Sequence, residues 1–200
     1  MSKLFPNDSL QLNLPQSDIS YFSNFITDEA ALTLFKAIRE TAPWQQDNIT
    51  VFGKTHPQPR LTALYANNIK PYSYSTITMQ PIPFSPELLI LKNKVEAFSK
   101  STFTSCLLNL YRDGKDSNGW HSDNEKELGK NPIIASVSLG AERMFHLKNK
   151  NNKNSTYKLP LENGSLLLMK GETQLHWLHQ ISKTKQPVGE RINLTFRTIQ

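Results

Sequence analysis

A chain of 200 residues with 38% hydrophobic content can bury one sizeable core and falls in the size range of a single domain. Its one cysteine, Cys106 in the apolar run Cys106-Leu107-Leu108, excludes a disulfide scaffold and reads as a buried, reduced thiol. The net charge of +6 is uneven, with 9 basic and 8 acidic groups in residues 1–100 against 14 and 9 in residues 101–200, and an excess of this kind favours a polyanionic partner. No stretch approaches the roughly 20 uninterrupted apolar residues of a membrane span, and no basic segment leads into an apolar run at the N-terminus. The expectation is a monomeric protein with no membrane attachment, intracellular, cytoplasmic if bacterial and nuclear if eukaryotic.

Residues 1–26 are polar with scattered Leu, Tyr and Phe and read as a loosely ordered lead-in. Residues 27–200 read as one domain, with helices and a recognition segment over 27–101 and a β-rich core over 102–200. Thr27 can cap a helix whose apolar residues Ala31, Leu34, Phe35, Ile38 and Ala42 recur on one face and which ends before Pro43. A second helix starts with Ser85 as cap and Pro86 in its first turn, with Leu88, Leu91, Val95 and Phe98 as its buried stripe. Between them, residues 49–84 hold short β-prone pieces broken by Pro57, Pro59, Pro71, Pro81 and Pro83, a pattern expected for a variable surface.

After residue 102 strand follows strand: 103–112, 133–139, 143–148, 157–159, 165–170, 175–181 and 191–199. The segment Lys148 to Lys158 holds Lys148, Lys150, Lys153 and Lys158 with four asparagines and no acid, and reads as a mobile basic loop. Late strands with early helices predict an α+β, mainly β fold: a double-stranded β-helix, or jelly roll, braced by N-terminal helices.

His121-Ser122-Asp123 places two metal-ligating side chains two residues apart, on one face if the segment is extended. A third ligand comes from Leu175-His176-Trp177-Leu178-His179-Gln180. A spacing of three puts His176 and His179 on opposite faces of a strand, so only one reaches such a metal. His179 is the choice, with His176 a hydrogen-bonded structural imidazole; the alternative is that both are ordinary core histidines. Two His and one carboxylate with open positions suit non-haem iron(II). In Arg191-Ile192-Asn193-Leu194-Thr195-Phe196-Arg197, Arg191, Asn193, Thr195 and Arg197 share one face and the apolar residues take the other. Two inward guanidinium groups are costly unless an anion neutralises them, and a dicarboxylate fits. The expected arrangement has Arg197 on a distal carboxylate and Arg191 nearer the metal. Asn109 and Tyr111, sharing a strand face just before His121, can complete the hydrogen bonds.

The order Asn109-x-Tyr111, Gly119-Trp120-His121-x-Asp123, Ser136-x-Ser138-x-Gly140, Gly164-Ser165-Leu166, His179 and Arg191-x-Asn193-Leu194-Thr195-Phe196-Arg197 resembles the AlkB family of nucleic-acid dealkylases, in particular its duplex-DNA repair branch. The resemblance covers about residues 50–200. It implies the jelly-roll fold, Fe(II), 2-oxoglutarate and O2, metal ligation by His121, Asp123 and His179, and co-substrate binding by Asn109, Tyr111, Arg191, Asn193 and Arg197. It further implies DNA as partner, duplex with a flipped damaged base, and oxidative demethylation of bases such as 1-methyladenine and 3-methylcytosine.

Upstream, Val51-Phe52-Gly53-Lys54 resembles that branch's hairpin wedge, with Phe52 filling the gap left by an extruded base. Tyr72-Ser73-Tyr74-Ser75 resembles the wall of the base pocket, with Tyr74 the ring that stacks opposite His121. Glu125 matches an acidic contact to the damaged base, whereas Asn124 is a neutral amide where the branch has an acid. One negative charge fewer weakens selection for cationic methylated bases over neutral adducts. The basic segment 148–158, with Lys183 and Lys185, matches regions that hold phosphate in the family. The same chemistry on RNA or on a protein side chain, and a non-catalytic nucleic-acid-binding module, are the competing readings.

Overall fold

The computed structural model describes residues 9–51, 53–68, 72–74 and 77–200. In chain order its elements are β1 (Ser9–Leu12), β2 (Asp18–Phe22), α1 (Asp28–Thr41), β3 (Asn48–Val51), β4 (Lys54–Pro57), β5 (Leu61–Ala66), β6 (Tyr72–Tyr74), β7 (Ile77–Met79) and α2 (Pro86–Ser99). There follow β8 (Ser105–Tyr111), β9 (Asn118–His121), β10 (Ile134–Gly140), β11 (Arg143–Asn149), β12 (Thr156–Leu161), β13 (Leu166–Lys170), α3 (Thr173–His176), β14 (Trp177–Ile181) and β15 (Arg191–Arg197).

Strand alternation builds the layers. On β15, Ile192, Leu194 and Phe196 join a core with Leu108 and Leu110 of β8, Val137 and Leu139 of β10, and Ala31, Ile38, Leu88, Leu91 and Val95 of the two long helices. The apolar face of this strand is therefore covered by helices. The same strands belong to a seven-stranded sheet of order β1-β2-β13-β10-β15-β8-β5, which faces a four-stranded sheet of order β12-β11-β14-β9. A second core lies between the sheets, with Ile19, Tyr111, Ile134, Leu167 and Met169 from the major sheet and Phe145, Leu147, Leu159, Trp177 and Ile181 from the minor. Helices on one face of a two-sheet antiparallel sandwich are the braced jelly roll that the residue pattern predicts. Among the described residues no helix is long and apolar enough to cross a membrane.

The helix ends follow local chemistry. The Thr27 hydroxyl accepts from the Ala30 amide at 3.3 Å and the Ser85 hydroxyl from the Leu88 amide at 3.3 Å, each satisfying a donor that the first helical turn leaves without a partner. Helix α2 ends at Lys100, whose φ of 53° turns the chain into the left-handed region.

Four local expectations are corrected. Within the described part of the lead-in, residues 9–26, the chain forms two strands: β1 and β2 extend the major sheet through β13, and Leu12, Ile19 and Tyr21 are buried in the inter-sheet core, so a boundary at residue 26 cuts through that sheet. Within the region 49–84, β5 is no variable surface but a buried strand paired with β8 from Leu61↔Leu110 to Ala66↔Ser105. The strand expected from residue 175 begins as the helical turn α3. The mobile basic loop shrinks to a short turn, because Lys148 ends a β11 ladder position and Lys158 lies on β12 opposite His146.

Candidate active site

His121 is the last residue of β9 and pairs directly with His179 of β14, so the minor sheet sets two imidazoles side by side with ring centroids 4.2 Å apart. The strand ends there, and Asp123 lies beyond it in a bend rather than on a shared strand face. Its carboxylate still converges, because its backbone N–H donates to Oε1 of the buried Gln174 in α3 at 2.9 Å. Lys150 Nζ donates to Ser122 Oγ at 3.0 Å and to the Gln174 carbonyl at 2.9 Å, tying the loop to the turn that leads into His179. One ligating atom from each of His121, Asp123 and His179 lies within 4.8 Å of the others. His176 stays outside, in α3, with Nε2 3.5 Å from Glu172 Oε2. Its exclusion follows from the helical turn, not from strand alternation.

The electrostatics suit a cation. Burial, with His121 adjacent, pushes the His179 imidazole down to about 3, and burial also lowers His121. Burial would raise the Asp123 carboxyl, but Arg197, His179 and His121 together hold it below its usual range. The cluster thus offers two neutral imidazoles and one carboxylate, the protonation states that metal ligands need. The Gly119 carbonyl, 2.7 Å from His121 Nδ1, can only accept, so Nδ1 carries the proton and Nε2 keeps its lone pair. Phe145 stacks on His179 at 5.3 Å and walls it from solvent.

The polar face of β15 lines the same cavity, of about 40 Å³, together with Arg60, Asn109, Tyr111 and the His-Asp-His cluster. Asn193 Nδ2 donates to Ser136 Oγ at 2.7 Å, and Thr195 Oγ1 to Asn193 Oδ1 at 2.9 Å. Arg197 Nη2 donates to Asp123 Oδ1 at 2.7 Å, so Arg197 is the guanidinium beside the metal cluster. Arg191, at the other end of the strand, donates through Nη2 to Ser138 Oγ at 3.0 Å and lies 5.3 Å over the Tyr111 ring. The expected order of the two arginines is therefore reversed. Arg191 is 1% exposed, burial pushes it down to about 10, and its Nε and Nη1 have no hydrogen-bond partner among the described residues.

Several residues that line the cavity or hold its lining in place are not marked by the sequence pattern. Arg60 sits in a proline-broken segment with no periodicity to mark it, yet its Nε donates to Asn109 Oδ1 at 2.7 Å. Ser136 and Ser138 stand in a motif that assigns them no role, Lys150 reads only as one charge of a basic segment, and Gln174 carries no signal in the sequence. Glu125 opens a one-turn helix after Asp123, and burial, with Asp123 near, raises its carboxyl. Phe52 and the side chains of Tyr72 and Tyr74 lie outside the described residues.

Over residues 18–197 the chain matches the 2OG-Fe(II) oxygenase superfamily. It is 45% identical over 184 residues to the alpha-ketoglutarate-dependent dioxygenase alkB homolog 3 of Bos taurus, a match covering 88% of this chain and 64% of that protein. It is 36% identical over 214 residues to the DNA oxidative demethylase ALKBH2 of Arabidopsis thaliana, covering 92% and 67%. The chain belongs to the AlkB family of 2OG-Fe(II) oxygenases.

A solved structure of OsALKBH1 aligns with a TM-score of 0.67 over 94% of this chain and all of that one at 19% identity, which shows a common fold. The chain spans 64% to 66% of the length of its alkB homolog 3 relatives. The AlkB family's cofactors are Fe(II), 2-oxoglutarate and O2, and the residues present fit them. Two neutral imidazoles and one carboxylate match the facial donor set of such iron, and the buried Arg191 nitrogens match a carboxylate.

Two results are expected from this geometry. Gln174→Leu removes the acceptor for the Asp123 amide and should weaken divalent-metal affinity about 10- to 100-fold, read by calorimetric titration with Co(II). The second concerns pH. An imidazole with a folded pKa below its unfolded value binds fewer protons folded than unfolded, so acid favours unfolding. With His179 at about 3 against an ordinary 6.5, metal-free protein should lose stability as pH falls below 6.5, and Asp123 adds the same sign further down. Denaturant midpoints at pH 7 and pH 5 with a chelator present measure it, and His179→Asn should flatten the difference.

Proposed function

We propose that this AlkB-family chain removes alkyl groups from ring nitrogens of DNA bases, such as 1-methyladenine and 3-methylcytosine, with the damaged base extruded from a duplex. The observation that carries the reading is the convergence of His121, Asp123 and His179 in a cavity that the Arg191-Asn193-Thr195-Arg197 face also lines. Two relatives are named DNA oxidative demethylases, in Arabidopsis thaliana and Homo sapiens, at 36% and 39% identity. The excess of positive charge in residues 101–200 supports a polyanionic substrate.

In this reading His121, Asp123 and His179 hold the iron. Iron held there together with 2-oxoglutarate would supply the oxidising chemistry: O2 and the co-substrate would be converted to succinate and carbon dioxide, and the N-methyl carbon would leave as formaldehyde with release of a proton, restoring the free ring nitrogen. The chain's own work is to bind, orient and exclude water. Arg191 receives the distal carboxylate of the diacid, and its burial makes that pairing strong. Arg197 both holds Asp123 in place and adds positive charge beside the metal. Arg60 fixes the Asn109 amide, and Ser136 fixes Asn193, so both amides are preset for the co-substrate. Glu125, raised toward its neutral form, faces the damaged base, with Tyr72 and Tyr74 as the pocket wall and Phe52 as the wedge.

The test compares turnover on the same methylated base in duplex DNA, single-stranded DNA, RNA and peptide. Turnover on DNA, with Phe52→Ala reducing the duplex rate far more than the single-strand rate, supports the reading. Preference for RNA or peptide overturns the substrate, and no turnover with iron and 2-oxoglutarate bound overturns the reaction.

A further inference from the structure

The strands of the minor sheet, Asn118–His121, Arg143–Asn149, Thr156–Leu161 and Trp177–Ile181, contain no aspartate or glutamate. Its inner face makes the core and the candidate metal cluster. Its outer face is basic. On β11 the buried Phe145 and Leu147 point inward, so His146 and Lys148 point out, and Lys158 on β12 stands opposite His146 on the same side.

Trp120 belongs to this face. It precedes the inward His121 on β9, the edge strand of the sheet, and is 39% exposed. Lys148 Nζ lies 4.4 Å from its ring centroid, which fixes the indole on the basic surface. An exposed indole with Lys148 over it, on a face that carries Lys158 two strands beyond β14, combines a stacking platform with charges that track a phosphate backbone.

We propose that this outer face, centred on Trp120, Lys148 and Lys158, binds a single-stranded stretch of polynucleotide with one base stacked on the indole. The indole selects the single strand, since inside a duplex every base is already stacked on its neighbours. Trp120 and His121 are neighbours on the edge strand β9, so this face adjoins the cavity that holds His121. The proposal rests on the nucleic-acid reading of the site, but it concerns binding rather than dealkylation, so the two can fail separately.

The test is fluorescence anisotropy of a labelled, unmethylated oligothymidylate with the full chain over a range of salt. Trp120→Ala should weaken binding about 5- to 150-fold, the range for loss of one stacked base, while Trp120→Phe recovers most of it. Lys148→Ala and Lys158→Ala should each flatten the salt slope by about 0.7, and Lys94→Ala on α2 should not. Co(II) titration verifies that the variants keep their metal cluster. Unchanged affinity in Trp120→Ala overturns the surface whatever the dealkylation assay gives. Weakened binding in a protein that releases no formaldehyde supports the surface and counts against the reaction. Should Trp120→Ala not fold, the lysine variants decide, and an unchanged slope, or an equal drop in Lys94→Ala, overturns it.

Discussion

Arg191→Met is expected to weaken 2-oxoglutarate binding sharply and, in the same protein, to leave the ligand-free fold as stable as before or more so. Arg191 is among the largest fully buried side chains, and two of its guanidinium nitrogens lack a hydrogen-bond partner among the described residues. A buried charge in that state costs stability, and an unbranched apolar chain of similar length removes the cost. In the proposed function the guanidinium is held for the co-substrate carboxylate. Truncating one partner of a buried, hydrogen-bonded charge pair costs about 2–5 kcal/mol of binding, or about 30- to 4000-fold in affinity. Calorimetry with 2-oxoglutarate reads the loss, and denaturant unfolding without it reads the stability. An Arg191→Met protein that is several kcal/mol less stable and binds 2-oxoglutarate normally would make the residue a structural strut instead.

The second large effect separates two of the proposed metal ligands from each other. His121→Ala and Asp123→Ala should both remove iron-dependent turnover, by more than the roughly 10- to 100-fold that disturbing an outer hydrogen bond of a metal site costs. Their stabilities should differ. His121 ends an edge strand and its loss leaves no charge behind, whereas Asp123 accepts 2.7 Å from the buried Arg197. Removing the carboxylate from a buried pair costs about 3–5 kcal/mol, so Asp123→Ala should unfold at markedly lower denaturant than His121→Ala. Oligonucleotide affinity should survive in His121→Ala, because the metal cluster and the basic surface are different parts of the minor sheet.

The strand Arg191–Arg197 was legible because its period-two pattern is unbroken, and a face that alternates so regularly has one side in the core. Pattern assigns a face, not a direction. The order of Arg191 and Arg197 relative to the metal depends on which end of β15 meets Asp123, which is a matter of sheet topology, and it came out reversed. The convergence of His121, Asp123 and His179 was legible from residue type and from the family motif, although the assumed geometry differed: His121 and His179 meet by direct pairing of β9 and β14, and Asp123 is drawn in by Gln174 from a helical turn. Such a turn of four residues has no periodicity to announce it. Strands β1 and β2 were missed for a similar reason. They are short, lie at or beside the sheet edge, and expose Ser9, Leu10 and Gln11, so only their partners make them strands. Arg60 is hidden among prolines, and its role is set by distant partners, Asn109 on the strand that pairs with β5 and the Ser117 carbonyl.

The central claim, that this cavity removes an alkyl group oxidatively, is tested most directly by mass spectrometry of a DNA oligonucleotide carrying one 1-methyladenine, incubated with the protein, Fe(II), ascorbate and 2-oxoglutarate. The account predicts loss of one methylene mass from the oligonucleotide, with formaldehyde and succinate appearing in step and neither change in His121→Ala. An unaltered oligonucleotide mass, in a protein shown to have taken up both iron and 2-oxoglutarate, would contradict it.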